Sequence, residues 1–454
     1  MKIILIYLLL FTFYVDQVLG GVGISHLMIG LSLFNLNIYL LLLVWVLAIV
    51  QRHKILMPNN INKYLFMMCF MVLMSIFVKY FRAEIPDISL AREVISFKQW
   101  LNPLLLFFTL FNIIDDEKTC DHALMGLCIL FLALILTQLL ATYGITGYQA
   151  RSMAKHGRAG AFGAAGEYAV TLALFFPLVL SGAIWAKKGH LFKISCMALV
   201  FFSLVGLVNA GSRNGAVTFS FGVLIYFLIL KRKKIVGPLS IILLITVMIV
   251  AGITAFLVSP SNVKVRVTGR FDPTQARDLS EYTSGRTHLL GNGWKLFLES
   301  PIIGHGGKTF VKLSRLRGYS HWGAAHNEYI RLLAEYGIVG LTLFLLIFFK
   351  IFQNIWFAIE RTTNPWVMKL SISYFAGLAA YMLGMLATNT GPSLNIFWIY
   401  TAIIYKYVEL DKDTHSVSVK LKDAQSFPPD CNTNTIEYER RISDLGMGRS
   451  ITDK

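Results

Sequence analysis

Charge is what this sequence has little of. Only 15% of its 454 residues are Asp, Glu, Lys or Arg, while 56% are hydrophobic; soluble chains carry about 25% and 45–50%. So little charge cannot clothe a water-soluble body, which excludes the two or three soluble domains that the length would otherwise suggest. Cysteine is scarce too. The five thiols are Cys69, Cys120, Cys128, Cys196 and Cys431. None has metal-ligand spacing, no Cys-x-x-Cys occurs and three lie in apolar runs, so neither a disulfide framework nor a zinc site is expected. Internal repeats and low-complexity tracts are missing. So are the short alternating segments of a transmembrane barrel.

What is present is a series of long Leu/Ile/Phe-rich stretches. About twelve reach the length of a membrane span, near 3–19, 24–50, 64–79, 100–114, 123–143, 166–186, 191–208, 214–230, 236–258, 337–359, 367–387 and 391–408. The second is overlong and holds Asn35 and Asn37, so its span is expected at 38–50. The first resembles a signal peptide, with Lys2, an apolar run and Val18-Leu19-Gly20; removing it would leave the rest of the topology unchanged. The fold class predicted is an all-α integral membrane protein of about twelve transmembrane helices.

The net charge of +17 would suggest a nucleic-acid partner in a soluble protein. Its distribution points elsewhere, and no nucleic acid is expected. Short loops on one side carry Arg52-His53-Lys54, Lys187-Lys188, Lys231-Arg232-Lys233-Lys234 and Lys350/Arg361, with Asp115-Asp116-Glu117-Lys118 a weak exception. A basic residue at a helix centre costs about 2.5–3.5 kcal/mol, and basic short loops stay in the cytoplasm. Both termini are then cytoplasmic. Four regions follow: helices one to nine over 1–258, a large outer loop over 259–335, helices ten to twelve over 336–408, and a polar, flexible cytoplasmic tail over 409–454. The other outer loops are expected near 80–98, 144–165, 209–213 and 388–390. The large loop holds eleven basic and six acidic residues, a net charge of +5. A loop this long escapes the positive-inside rule. Its charge fits either a solvated surface or an anionic substrate held outside.

The most specific stretch closes that loop: Ala325-His326-Asn327-Glu328-Tyr329-Ile330-Arg331, then Gly337-Ile338-Val339-Gly340. Ile330, Leu333 and Ala334 are at helical spacing, which puts His326 at the start of a helix entering the bilayer. Taken alone, this stretch is better read as a capped helix start with a helix–helix glycine contact. The pattern His-Asn, nine residues, Gly-x-x-Gly resembles the motif of the O-antigen ligase and polymerase family, where it ends a large periplasmic loop. Three more stretches resemble the same family. They are Gly211-Ser212-Arg213-Asn214-Gly215-Ala216, the run from Arg158 to Ala169, and Ser284-Gly285-Arg286 followed by Trp294-Lys295-Leu296-Phe297 and Pro301-Ile302-Ile303-Gly304-His305-Gly306. Many members carry a polar pair such as Pro-Asn where this chain has Gly166-Glu167. Residues 287–299 suit a helix lying on the bilayer surface.

The resemblance implies an all-helical architecture similar to that of GT-C-like glycosyltransferases that use lipid-linked donors. It also implies transfer of a glycan from an undecaprenyl-pyrophosphate carrier to a glycan or lipid A-core hydroxyl, at the periplasmic face of a bacterial inner membrane. The donor is already activated, so no nucleotide or other cofactor is expected; no Asp-x-Asp or acidic cluster faces outside, which argues against a divalent metal, and direct displacement would invert the anomeric carbon. A departing diphosphate needs concentrated positive charge in a low-dielectric cleft. Arginine supplies it in bidentate form, and Arg213 and Arg286 are the candidates. A neutral imidazole can accept the acceptor's proton, and His326 is the candidate, with His288, His305 and His321 as rivals on the same loop. Asn327, as cap or orienting group, Arg331, Glu328 and Arg158 are assigned to substrate binding. A repeat-unit polymerase, with a chain-length regulator as a candidate partner, shares this chemistry, as does a protein O-oligosaccharyltransferase. A transporter would show inverted repeats and midplane charges, and neither is visible.

Overall fold

The computed structural model describes residues 2–19, 26–28, 31–52, 61–82, 89–143, 165–185, 190–258, 264, 286–319, 324–390 and 394–425. Long apolar sequences form helices because a helix satisfies its own backbone where water cannot. The chain places a helix in each apolar stretch: α1 Lys2–Leu19, α2 Leu33–Arg52, α3 Asn62–Arg82, α4 Leu90–Ile113, α5 Glu117–Thr142, α6 Ala165–Trp185, α7 His190–Ala210, α8 Arg213–Arg232 and α9 Pro238–Val258. Two shorter helices follow, α10 Arg286–Glu299 and α11 Phe310–Leu316, and then α12 Glu328–Arg361, α13 Pro365–Gly384 and α14 Asn395–Gln425. Among the described residues eight helices are long and apolar enough to cross a membrane: α3 to α8, α12 and α13. The all-helical expectation needs one small amendment. Strands His26–Met28 and Leu31–Ser32 pair antiparallel ahead of α2.

The centre of the bundle is α6, which is buried almost along its whole length. Small residues let its neighbours approach its backbone. A Cβ added at Gly377 of α13 would lie 2.1 Å from the Leu174 carbonyl oxygen, and one at Gly215 of α8 would lie 2.2 Å from Ala169. Between α8 and α13, Gly222 faces Ala380, at 2.9 Å by the same construction.

Three boundaries differ from expectation, and polar pairing explains two of them. The second span was expected over 38–50, and the helix that holds it, α2, already begins at Leu33. Its asparagines are satisfied across helices: Asn37 Nδ2 donates to Thr12 Oγ1 at 3.0 Å, and Asn35 Oδ1 accepts from Asn102 Nδ2 at 2.6 Å. Residues 80–98 were expected to form a loop, yet α4 starts at Leu90. It carries Glu93 into the structure because Lys79 of α3 meets it at 2.5 Å with both side chains largely buried. The chain divides into two compact units, Met1–Val408 and Glu409–Lys454. The described part of the second, 409–425, is helical, where a flexible polar tail was expected.

Candidate active site

The site is built where helix ends meet. The last carbonyls of α13 have no partners within their own helix, and side chains and backbone from two helix starts take them up. Asn214, the second residue of α8, donates from Nδ2 to the Gly384 carbonyl at 3.1 Å. Tyr329 Oη donates to Met382 O at 2.8 Å, and the Glu328 amide to Met385 O at 2.9 Å. Asn327 Nδ2 donates to Leu386 O at 2.9 Å. The start of α6 reaches the same place, since a Cβ at Gly166 would lie 3.1 Å from Thr388 Cγ2. The first turns of α8 and α12 are thereby tied to one short turn, and Arg213 and His326 sit beside those anchors.

Each helix start is capped by its own sequence. Ser212 caps α8, its hydroxyl accepting from the Gly215 amide at 3.2 Å. Asn327 caps α12, its Oδ1 accepting from the Ile330 amide at 3.0 Å. Of the two roles expected for Asn327, capping is the one seen. The residue before it, His326, has φ +51, a left-handed conformation that costs an L-residue roughly 1–2 kcal/mol. Such strain persists only where surrounding structure fixes it, and here the anchored cap does so. Burial first, and then the positive charge of Arg286, lower the His326 imidazole below the ordinary histidine value. It is therefore neutral near pH 7.

Arg286 opens α10, which packs on the first part of α12. A Cβ at Gly293 would lie 2.0 Å from Ile330 Cγ2. Leu296, Phe310, Leu313, Ala325 and Ala334 form a small core, with Val311, Tyr319 and Ile330 against it. The opposite side of α10 leaves Leu290, Trp294 and Leu298 exposed.

Arg331 and Glu328, expected to bind substrate, bind each other. Arg331 Nε donates to Glu328 Oε2 at 3.0 Å, Nη2 to Glu328 Oε1, and Nη1 to Glu335 Oε2 at 3.0 Å. Glu328 is fully buried and Glu335 nearly so. The guanidinium lies over the Trp100 ring, 5.9 Å from its centroid. Both oxygens of Glu328 are held by Arg331, so neither side chain presents itself as an open ligand.

Gly337 explains the remaining half of the motif. At φ 64 and ψ −166 it breaks α12 into two helical pieces. The break frees backbone groups that the preceding turn then fills. The His305 amide donates to Ala334 O at 3.1 Å and the Gly306 amide to Glu335 O at 2.8 Å, while Ile338 N donates to Pro301 O at 2.8 Å. A Cβ at Gly337 would lie 2.2 Å from Ile302 O, and one at Gly304 would lie 2.4 Å from the Glu335 carbonyl carbon. Gly337→Ala should therefore destabilise the protein by more than the ~1–3 kcal/mol of a strained backbone alone, because the clash is with backbone. Thermal melts of purified protein check this: a drop of several degrees is expected, and an unchanged midpoint would contradict the hinge role.

Other expected residues fall elsewhere. Arg158 and His321 lie outside the described residues. His305 is buried and bridges Leu296 O at 2.9 Å and Arg82 Nη1 at 3.2 Å, which makes it a strut of the turn. His288 is exposed on α10. The buried pair Lys79–Glu93 was missed. Its signal was a lysine inside an otherwise apolar stretch, which in a membrane needs a named partner.

Residues 197–345 match the family described as O-antigen ligase. That stretch runs from α7 into α12 and holds Arg213, Arg286 and His326, although it is about a third of the chain. No curated protein matches the chain.

Proposed function

We propose that this protein transfers a glycan from an undecaprenyl-pyrophosphate carrier to a hydroxyl acceptor at the periplasmic face of a bacterial inner membrane, as an O-antigen ligase does. The observation that carries this reading is the union of the α8 and α12 starts on the Gly384–Leu386 turn, with Arg286 close enough to act on the His326 imidazole. In this reading the helices cross the membrane about twelve times, both termini are cytoplasmic and 259–335 lies outside. The basic loop around Lys231 to Lys234 supports that orientation. The exposed Leu290, Trp294 and Leu298 suit a helix resting on the outer bilayer surface.

The reaction follows from the groups present. The acceptor hydroxyl gives its proton to neutral His326 as its oxygen attacks the anomeric carbon. The bond from that carbon to the phosphate oxygen breaks, and its electron pair leaves with the lipid diphosphate. Arg213 and Arg286 take up that charge, which is worth most in a site that excludes water. Direct displacement inverts the anomeric centre, and neither a metal nor a cofactor is required. The Asn327 cap anchors the helix start next to which His326 sits. Arg331 and Glu328 hold the helix that carries it, which replaces their expected part in substrate binding. Arg158 keeps the substrate-binding part that its sequence resemblance gives it.

Gel analysis of surface polysaccharide in a deletion strain tests the assignment. Unattached lipid-linked chains are the result expected of a ligase. Accumulation of single repeat units would instead assign a polymerase, and an unaltered pattern would refute both. Complementation with Arg213→Lys should leave transfer about 10–100-fold slower, since a point charge does not replace a bidentate fork. Full activity at limiting expression would remove Arg213 from the site.

A further inference from the structure

We infer that a groove beside the site docks the isoprenoid tail of the lipid diphosphate donor, and that Lys308 holds its head there before transfer. This rests on the reading of the protein as a lipid-linked glycan transferase and goes further, by naming where the carrier waits.

The groove has a volume of about 530 Å³ and lies between α3 and α12, among Phe70, Met74, Val78, Ile303, Tyr336 and Val339. Its α3 wall runs from Phe66 to Val78, twelve helical rises or roughly 18 Å. Aromatic rings and flexible thioethers suit an irregular, methyl-branched chain better than a close-packed surface does. One end is roofed by the turn that fills the Gly337 break. The Gly307 amide donates to Ser75 Oγ at 3.4 Å, and a Cβ at Gly306 would lie 2.5 Å from Lys79 Cγ. Glycine is required here for the turn to sit down on α3.

Lys308 follows immediately, exposed and with φ +60. Its Nζ donates to Gln99 Oε1. Lys79, Glu93, Arg331 and Glu335 all lie within electrostatic reach of it. The buried charges of that cluster pair among themselves, which leaves Lys308 as the cation at the surface. The described loop segment 286–319 adds Arg286, Lys295, Lys312, Arg315 and Arg317 against the single acid Glu299. A diphosphate fits that surplus better than a neutral or singly charged headgroup. The other large apolar groove, of about 570 Å³, includes Lys231. That residue lies near the end of α8 remote from Arg213, so a lipid there would have its head away from the site.

Lys308 and His326 have separate parts in this reading. Lys308 binds the head of the donor and does not touch the reacting atoms, so docking should govern KM while His326 governs kcat.

The test uses full-length protein in nanodiscs, with undecaprenyl pyrophosphate as the binding probe and glycan-loaded donor for kinetics. Lys308→Gln changes an exposed side chain, and Met74→Trp fills the groove. Each should weaken probe binding about tenfold and raise the donor KM to match, with kcat within twofold, while His326→Ala binds the probe normally. Unchanged binding in Lys308→Gln and in folded Met74→Trp overturns the inference. So does equal displacement of the probe by phosphatidylglycerol, which would give the groove to bulk lipid. Wild-type protein that binds the probe yet transfers no glycan would sink the proposed function and leave the groove standing.

Discussion

Replacing His326 with alanine should cut glycan transfer by about 10²–10⁴-fold, with the protein still inserted and melting near its normal temperature. The side chain keeps an exposed edge and makes no part of the small core under α10, so its loss removes chemistry and little packing. The pH dependence tests the same assignment independently. Burial and the Arg286 charge both favour the neutral imidazole. Wild-type activity should therefore be flat through neutral pH and fall only below the ordinary histidine range, as the base becomes protonated. Arg286→Gln should do two things. It should slow transfer by removing a cation from the leaving diphosphate. It should also move the acid limb to higher pH, because a proton binds more readily once the neighbouring positive charge is gone. Profiles of kcat/KM against pH on purified protein check both. An acid limb that stays put in Arg286→Gln would separate the two residues, and appreciable turnover in His326→Ala would end the proposal that it is the base.

Much of this site is legible in the sequence, because motif spacing survives folding. His326, Asn327, Gly337 and Gly340 stand out by the interval that resembles a family motif, and Arg213 stands out as a cation at the outer end of an expected span. The reasons for the glycines are not legible. Gly337 must break the helix because residues 301 to 306, more than thirty positions earlier, fill the gap it leaves. Nothing local announces that pairing.

The errors share a cause. Hydropathy scores one helix at a time, so Asn35 and Asn37 shorten the expected span although Asn102 and Thr12 meet them from other helices. Glu93 was placed in a loop because its partner, Lys79, lies on another element. Arg331 and Glu328 were visible as i,i+3 neighbours. Their burial, and the third member Glu335, come from packing that only the folded chain supplies.

That trio gives the largest expected effect on stability. Arg331→Met should cost about 3–5 kcal/mol, lowering the melting temperature sharply and reducing the amount of protein in the membrane. The guanidinium is the only described ion-pair partner of both Glu328 and Glu335, and those side chains are 0% and 2% exposed. Removing it strands the Glu328 carboxylate where water cannot solvate it and leaves Glu335 with backbone amides such as that of Phe310, at 3.3 Å, but no counter-charge among its described ion pairs. The penalty belongs to the stranded charges and not to the lost methylenes, which the methionine replaces. Neutralising all three positions together, Glu328→Gln with Arg331→Met and Glu335→Gln, should therefore recover most of the stability, since a buried ionic group can be exchanged for uncharged side chains at little net cost. The rescued triple variant also decides what Arg331 is for. If it positions the His326 helix, transfer returns along with folding. A triple variant that melts like wild type yet fails to transfer would hand Arg331 back to the substrate. A single Arg331→Met variant with an unchanged midpoint would mean that the carboxylates find other partners and that the cluster is not what holds this helix in place.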